Sequence, residues 1–405
     1  MRPAPQQPSC FRLQISERDL QFFRRDLSKD ERNWQGVASG STSFRKDCLS
    51  SWRAEQEAAA LRHLAQEQGT LADGQPDPLA PALLGQQGRH LWLEPLRGIR
   101  LYDLIRLLEQ LGWEGEANGA AMAREVIALQ LERSRQRLER LQRHLDGWEG
   151  PAGLHPYPLG RKLAGLVALL SRLLALPELE PALRQELRQL SHSWRGWACL
   201  PFRDATSKNV LVLIPELEPQ HSEAERLAWL RRQLQERPLA QWRQLSLRDV
   251  DFSSLLHLTL PEDDPISLLA HRRTLPYGPF TAASFSLLPD RHGVVAERAA
   301  LALLVRWLRF GGRKMAYRLL HPQAWLQRFR HDDPLPYFRD LRRHGLQLDP
   351  GLEQRYPLLL ARVEAIGAAY RAIEPHLGLG PDPTIHRFPR PRQLWRESPL
   401  VQADG

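Results

Sequence analysis

The sequence predicts an α+β fold in which a small mixed section precedes a larger helical one. Short apolar runs with Gly- and Ser-containing turns occupy the chain before about residue 98. Beyond it, most of the chain repeats apolar residues every three or four positions. A segment at 198–214 interrupts that helical rhythm with a polar loop and a strand-like run. At 405 residues the chain is long enough for one large domain or for two or three ordinary ones.

The first section is expected to combine strands with one helix. A Gly/Ser stretch at 36–40 is typical of a turn between strands, and Lys46 ends the strand-like run that follows it. A helix is predicted from Ser51, whose hydroxyl can cap it. Glu57 shares the apolar face of that helix with two leucines, so its carboxylate should point inward. A further short strand is expected at 90–94, where a proline ends it.

The second section is expected to be mostly helical. Apolar periodicity predicts helices at 101–111, 120–145, 163–176, 181–194, 296–310 and 356–373. Strand-like runs at 210–214 and 248–256 break this pattern, and 215–247 between them is interpreted as an inserted helical excursion with a helix at 222–236. We therefore divide the chain into 1–97, 98–375 and a Pro-rich extended tail at 376–405.

The composition favours a cytoplasmic globular protein. With 42% hydrophobic and 25% charged residues, the chain can bury a sizeable core. No apolar run reaches the roughly 18 residues that span a bilayer, and the first residues lack the apolar core of a secretory signal. The three cysteines are widely spaced, as suits a reducing compartment, and neither they nor the histidines form a zinc-binding pattern.

The formal net charge of +9 has two interpretations. The basic residues are nearly all arginine, since lysine occurs only at 29, 46, 162, 208 and 314. Arg-rich surfaces attract phosphates, anionic lipids and nucleic acid, so peripheral contact with an anionic membrane surface stays open. The arginines can equally form a solvated face paired with the 47 acidic residues. A nucleic-acid partner is disfavoured because no aromatic–basic motif or recognised nucleic-acid module is present.

Two polar loops carry residues suited to phosphoryl transfer. That reaction needs a cation on the phosphates, a metal held by carboxylate and amide oxygens, and a carboxylate beside the attacking hydroxyl. In kinases, one loop supplies Asp-x-x-x-x-Asn and a later loop supplies an Asp that is usually followed by Phe. Here Asp204 and Asn209 have the first spacing, and Asp251-Phe252 follows. Asparagine occurs at only three positions and Asp-Phe only once, so a chance match in this order has few opportunities.

At these residues the chain resembles the protein-kinase-like superfamily, in particular its aminoglycoside phosphotransferase, choline kinase and lipopolysaccharide-sugar kinase branches. The resemblance implies a two-lobed fold with a small β-rich N-lobe and a large helical C-lobe. It also implies that Asp204 is the catalytic base, that Asn209 and Asp251 bind Mg²⁺, and that ATP is the phosphate donor. The acidic segment at 262–269 is similar to the start of the helix that follows the metal loop in the small-molecule branches.

Four further residues are expected on the nucleotide side. Lys46 ends a strand-like run ahead of the helix that carries Glu57, as a kinase-like lysine and its ion-pair partner require. The segment 91–98 resembles an inter-lobe hinge, with Glu94 at the point where the backbone would receive adenine. In a chain that uses arginine almost everywhere, Lys46 and Lys208 fit a need for a compact ammonium near phosphate.

Each assignment has a structural alternative. Asp204 and Asn209 can belong to a polar loop with an Asx turn. Asp251 can be a helix-cap or turn carboxylate, and Asp249 is the fallback because the gap after Asn209 is long. The expected lysine–glutamate pair can be a surface salt bridge.

The leading functional expectation is a kinase that transfers the ATP γ-phosphate to a hydroxyl of a small molecule, a sugar or a lipid-linked sugar. Phe202 and Ser253 stand where protein kinases usually carry His and Gly, which argues against a protein substrate. A second expectation is a catalytically inactive kinase-like scaffold that binds nucleotide or a partner. A third is an Arg-rich helical protein that binds nucleic acid or an anionic membrane. The sequence indicates neither the acceptor nor the oligomeric state.

Overall fold

The structure is a computed structural model of the 405-residue chain. It describes residues 43–373 apart from gaps at 49, 68, 72–73, 75, 115–116, 152, 158, 219, 253–254, 256, 270–273, 275–276, 278–280, 287–292 and 321–343. The turn predicted at 36–40 and the tail predicted at 376–405 lie outside the described residues. Within them the fold is α+β, as the sequence predicts.

Short strands and longer helices make up the described part of the chain. The strands are β1 (Phe44–Asp47), β2 (Leu83–Gln87), β3 (His90–Leu93), β4 (Ile99–Arg100), β5 (His155–Pro156), β6 (Leu200–Pro201), β7 (Val210–Val212), β8 (Leu247–Asp249) and β9 (His257–Thr259). The helices are α1 (Ser51–Leu64), α2 (Leu101–Glu114), α3 (Ala117–Leu145), α4 (Leu159–Leu173), α5 (Pro181–Trp197), α6 (Glu223–Glu236), α7 (Leu239–Trp242), α8 (Asp263–Leu269), α9 (Ala282–Phe285), α10 (Val295–Leu320), α11 (Leu352–Arg355) and α12 (Pro357–Ile373).

The first sheet has the order β1-β3-β2, and both of its strand pairs are antiparallel. Helix α1 packs against it and contributes Leu61 and Leu64 to a small core of its own. The capping prediction was wrong by one residue, because Ser50 rather than Ser51 accepts the hydrogen bond from the Arg53 N–H. Ser50 is extended, as an N-cap residue must be, whereas Ser51 is already helical.

A second sheet, β4-β7-β8, joins the linker after the first sheet to the polar loops. Strand β7 pairs antiparallel with β8, so that Val210 faces Asp249. The linker approaches β7 so closely that a Cβ atom on Gly98 would lie 2.1 Å from the carbonyl oxygen of Val212. Glycine is therefore required where the chain crosses from the small core to the large one.

The larger core is formed by the helices. It contains residues of α2, α3, α4, α5 and α10, with Trp194 and Trp242 fully buried. The helix predicted inside the 215–247 excursion is present as α6, which Ser222 and Glu225 begin with a reciprocal capping box. Leu230 of α6 is buried in the same core, so the excursion packs on the helices. Among the described residues, no helix combines the length and apolar character needed to cross a membrane.

Candidate active site

The loop between β6 and β7 is folded on itself by short-range hydrogen bonds. The backbone N–H groups of Thr206 and Asn209 donate to the carbonyl oxygens of Asp204 (2.8 Å) and Thr206 (2.8 Å). The Asn209 side-chain Nδ2 also donates to the Asp204 carbonyl oxygen, at 2.6 Å. Because that bond uses the nitrogen of the amide, it leaves the Asn209 amide oxygen unoccupied by this contact.

The sheet register brings the two predicted loops together. Val210 opposes Asp249, and beyond that pair the Val250 N–H donates to the Asn209 carbonyl oxygen at 3.0 Å. Asp251 is the next residue after Val250, so it leaves the sheet beside the end of the Asp204–Asn209 loop. An antiparallel pairing of two short strands thus joins residues about forty positions apart in the sequence.

Lys46, Glu57 and Asp251, here called the Lys46 triad, meet in the structure. The Lys46 Nζ lies 2.6 Å from the Glu57 Oε1 and 2.9 Å from the Asp251 Oδ1. The Lys46 and Glu57 side chains are 3% and 1% exposed, whereas Asp251 is 27% exposed. The pair is therefore not a surface salt bridge, and Asp251 is the member that solvent reaches.

A backbone contact ties helix α1 to the Asp251 turn. The Phe252 N–H donates to the Glu57 Oε1 at 3.1 Å, the same oxygen that accepts from Lys46. On the other oxygen of Glu57, the Cys48 thiol donates at 3.6 Å. Burial raises the pKa of that thiol to about 12, so it stays a donor at neutral pH.

The charges in the triad offset the effect of burial on the pKa values of Lys46 and Glu57 to different extents. Burial by itself lowers the pKa of Lys46, but the carboxylates of Asp251 and Glu57 outweigh it and raise the pKa above its ordinary value. Burial raises the pKa of Glu57 despite the neighbouring ammonium. Lys46 thus stays charged, facing two acidic groups of which one is close to solvent.

Helix α10 contacts Asp204 through an arginine. The Arg306 Nη2 lies 3.0 Å from the Asp204 Oδ1, and the Arg306 Nη1 lies 3.9 Å from the Asp263 Oδ1. Asp204 is 31% exposed, so the ion pair does not close it off from solvent. Nothing in the sequence points to this residue, because Arg306 is one arginine among many and lies on a helix predicted to be core.

Asp249, the fallback for the metal loop, has a different environment. Together with Asp77, Arg137 and Arg203 it forms a buried ionic cluster, here called the Arg137 cluster. Arg203 forms an ion pair with Asp249, and the Arg137 Nη1 lies 2.8 Å from the Asp77 Oδ2. Every member is buried. Asp249 is therefore engaged in holding the loops, and Asp251 is the carboxylate that a ligand can approach.

Two of the residues expected to bind nucleotide have other contacts. The Lys208 Nζ lies 4.9 Å from the centre of the Tyr102 ring, on α2. The Glu94 carboxylate accepts from the Ala82 N–H at 3.1 Å, and the Glu94 N–H donates to the Ala82 carbonyl oxygen at 2.8 Å. The N–H of Glu94 is thus already used within the protein.

The acidic segment after the second loop begins a helix, α8, as the resemblance implies. Asp263 accepts from the Thr259 hydroxyl at 3.0 Å, and Asp264 accepts from the Gln142 amide. Burial raises the pKa of both carboxyls, that of Asp264 well above its usual range. These two acids lie under the Asp204 loop and do not open to solvent.

The side chains of Asp251 and Asn209 suit a magnesium ion in chemical type. Magnesium prefers carboxylate and amide oxygens and keeps several waters, and Asp251 and Asn209 supply one ligand of each kind. In the described part of the chain, no three His, Cys, Asp or Glu side chains gather as a metal site. The expected ligand pair, Asp251 and Asn209, contains only one residue of these four types, so it would not form such a group.

The resulting arrangement is a solvent-reachable carboxylate and amide at one end of a sheet, a buried lysine beside them, and a second carboxylate on the neighbouring loop. Such a group can hold a metal-bound polyanion and accept a proton. No family model matches this sequence, and no curated protein matches it.

Proposed function

We propose that this chain is a Mg²⁺- and ATP-dependent phosphotransferase with a kinase-like arrangement of two lobes. The observation that carries the proposal is the Lys46 triad: residues from a strand, a helix and a loop, 205 positions apart at the extremes, converge on one ammonium. Two separate hydrophobic cores support the two-lobed arrangement. The small one is built mainly from residues before Gly98, with Leu141, Leu145, Phe252 and Leu255 added to it, and the large one is built from the helices.

The nucleotide would lie between these cores. Lys46 carries the cation for the phosphates, and Asp251 with Asn209 would hold Mg²⁺, which neutralises charge on the phosphate oxygens when bound. The Asp251 carboxylate is 27% exposed, so a divalent cation can reach it. The linker at 94–98 borders this space and is the proposed position of adenine.

Asp204 is the proposed catalytic base. As the acceptor oxygen bonds to the γ-phosphorus of ATP, Asp204 takes its proton, and ADP leaves with the electrons of the broken P–O bond. The ion pair with Arg306 fixes the direction of the Asp204 carboxylate before the acceptor arrives. The acceptor is a hydroxyl compound, a small molecule, a sugar or a lipid-linked sugar.

Binding and turnover of Mg²⁺-ATP test the proposal. We expect Mg²⁺-ATP to raise the melting temperature of the purified chain, and ATP consumption to rise with at least one member of a panel of hydroxyl compounds. Asp204→Asn should lower the turnover rate by about 100- to 10,000-fold and leave nucleotide binding unchanged. Asp146→Asn, at an exposed aspartate after α3, is the matched control and should change neither.

A catalytically inactive nucleotide-binding scaffold is the second candidate. The observation that favours it is the Asp204–Arg306 ion pair, because a base already neutralised by an arginine is poorly placed to accept a proton. Mg²⁺-ATP binding without turnover on any acceptor, in both the native chain and Asp204→Asn, would decide for the scaffold. Absence of nucleotide binding at millimolar Mg²⁺-ATP would reject both candidates.

A further inference from the structure

Two cations with no acidic partner surround one tyrosine close to Asp204. The Lys162 Nζ and the Arg309 Cζ each lie 4.4 Å from the centre of the Tyr157 ring. Arg309 is only 8% exposed, although it carries a full charge. Burying a guanidinium is costly unless it is paired, so its surroundings call for an explanation.

Neither cation is neutralised by the protein. Among the described residues, Arg309 and Lys162 form no ion pair with any carboxylate, and the Arg309 Nε has no hydrogen-bond acceptor. The guanidinium rests on aromatic rings instead, with Phe202 at 5.4 Å and Phe310 at 5.5 Å from its Cζ. Aromatic faces position an arginine but leave its N–H groups available to an anion.

These cations lie beside the proposed catalytic base. Phe202, under Arg309, is two residues before Asp204 in the same loop. Arg306, which pairs with Asp204, lies one helical turn before Arg309 on the same face of α10. The two cations therefore lie close to the Asp204 loop, on the side where α10 contacts it.

The electrostatics of the neighbouring groups agree with a positive site. Burial lowers the pKa of His257, and Lys162 and Arg309 lower it further. Burial raises the pKa of Tyr157, but the charge of Arg309 and a hydrogen bond with Lys162 reverse this and lower it overall. The charged groups that face this site come from α10 (Arg306, Arg309, Arg313), α4 (Lys162) and α1 (Arg53), and the acid facing it is Asp263.

We propose that Arg309 and Lys162 bind an oxyanion, a phosphate or carboxylate group that the acceptor molecule already carries next to the hydroxyl it presents to Asp204. This inference rests on the proposed phosphotransferase function for the acceptor's role, while the oxyanion site itself stands on the two cations. The acceptor class is thus an anionic hydroxyl compound, such as a phosphate ester or a hydroxy acid, in place of a neutral or cationic one.

Binding of inorganic phosphate tests the site without any reaction. Isothermal titration of the nucleotide-free chain should detect binding. Arg309→Gln should weaken it by about ten- to a hundredfold, the range for losing a charge-assisted hydrogen bond. Because Arg309 is buried, Lys162→Gln on the half-exposed face of α4 serves as the second variant, with weakening of about tenfold. Arg188→Gln, at an exposed arginine of α5, is the matched control.

A second comparison separates the oxyanion site from the nucleotide site. Lys46→Met should weaken Mg²⁺-ATP binding and leave phosphate binding unchanged, whereas Lys162→Gln should do the reverse. Loss of phosphate binding in Lys46→Met with none in Lys162→Gln would place the phosphate in the nucleotide site and overturn the proposal. It would also be overturned if the native chain does not bind phosphate, or if Arg309→Gln and Lys162→Gln both bind phosphate as tightly as the native chain does.

Matched acceptors test the substrate class. A hydroxyl compound, its phosphate ester and the corresponding hydroxy acid are compared as acceptors, and the charged members should have a KM at least about tenfold lower than the neutral one. Comparing the KM of the ester with that of the acid shows whether the site prefers a phosphate or a carboxylate. Equal KM values would refute the acceptor role. Phosphate binding that depends on Arg309 in a chain that does not bind Mg²⁺-ATP would keep the oxyanion site and reject the proposed function.

Discussion

The two residues on either side of Val250 belong to two different ionic clusters, and solvent reaches only one of these clusters. The Arg137 cluster contains Asp249, and the Lys46 triad contains Asp251. In the first, two arginines pair with two aspartates and all four side chains are buried. Arg140 and Arg248 also approach Asp77, at 3.0 and 3.5 Å. In the second, one lysine faces two carboxylates, and Asp251 is 27% exposed.

The difference separates a structural cluster from one that can take a ligand. The Arg137 cluster joins the loop before β2, helix α3, the loop after β6 and strand β8, and all four of its side chains are buried. In the Lys46 triad, by contrast, solvent reaches the carboxylate of Asp251. Burial and ion pairing alone do not identify a functional site, whereas a charged group that a ligand can reach is a candidate for one.

The largest expected effect is on stability, in the closed cluster. Asp249→Ala leaves the buried Arg203 without its carboxylate, and loss of one member of a buried ion pair costs about 3–5 kcal/mol. Asp251→Ala should cost less than about 1 kcal/mol, because Lys46 keeps Glu57 and the site is partly exposed. Urea unfolding of both variants measures this. Equal losses would abolish the distinction between the clusters.

The next effect is on activity, in the open cluster. Asp251→Asn removes a proposed metal ligand and should lower Mg²⁺-dependent turnover by at least about a hundredfold, equivalent to about 2.7 kcal/mol. Its unfolding free energy should stay close to that of the native chain. Turnover is measured across a magnesium titration. An Asp251→Asn enzyme with unchanged rate and magnesium dependence would remove Asp251 from the site.

A smaller effect is expected from Lys46→Met, and it should depend on pH. Without the ammonium, Glu57 is left buried, and we expect a loss of about 1–3 kcal/mol at neutral pH. The pKa of Glu57 is already raised by burial, so on acidification the folded variant takes up a proton before the unfolded chain does. Its unfolding free energy should therefore rise relative to the native chain as pH falls. A loss that is constant between pH 5 and pH 8 would contradict this.

The smallest effect concerns Asp264, a buried acid outside both clusters. Because burial raises its pKa, the native state holds a proton at a pH where the unfolded chain has released it. Stability is then highest in acid and falls as pH rises through the shifted pKa, by at most about 1.4 kcal/mol per pH unit. Asp264→Asn should flatten this slope, and Asp146→Asn should not. Denaturant unfolding at several pH values measures both.

Most of the fold could be predicted because helical periodicity is a local property. Helices expected at 101–111 and 181–194 are present as Leu101–Glu114 and Pro181–Trp197. The helix expected at 296–310 is longer, Val295–Leu320, and continues through two glycines. A Cβ atom on Gly312 would lie 3.1 Å from Leu166 of α4, so this glycine allows close helix packing and does not end the helix.

The site was predictable only in part, because its contacts join distant residues. The spacing of Asp204 and Asn209 is visible in the sequence, and so is the order of Asp251 after them. The strand-like run predicted at 248–256 was only partly correct, because strand β8 ends at Asp249 and the next strand, β9, begins at His257. Arg306 and Arg309 could not be distinguished from the other arginines, because only the folded structure places them against Asp204 and Tyr157.

One oxygen atom joins the small core to the loop that leads into the large one. The Glu57 Oε1 accepts from both the Lys46 Nζ and the Phe252 N–H. A rotation of α1 about its axis would break both bonds at once, and the helix and the Asp251 turn must therefore change position together. The orientation of a single helix thus determines whether strand, helix and turn can act as one assembly.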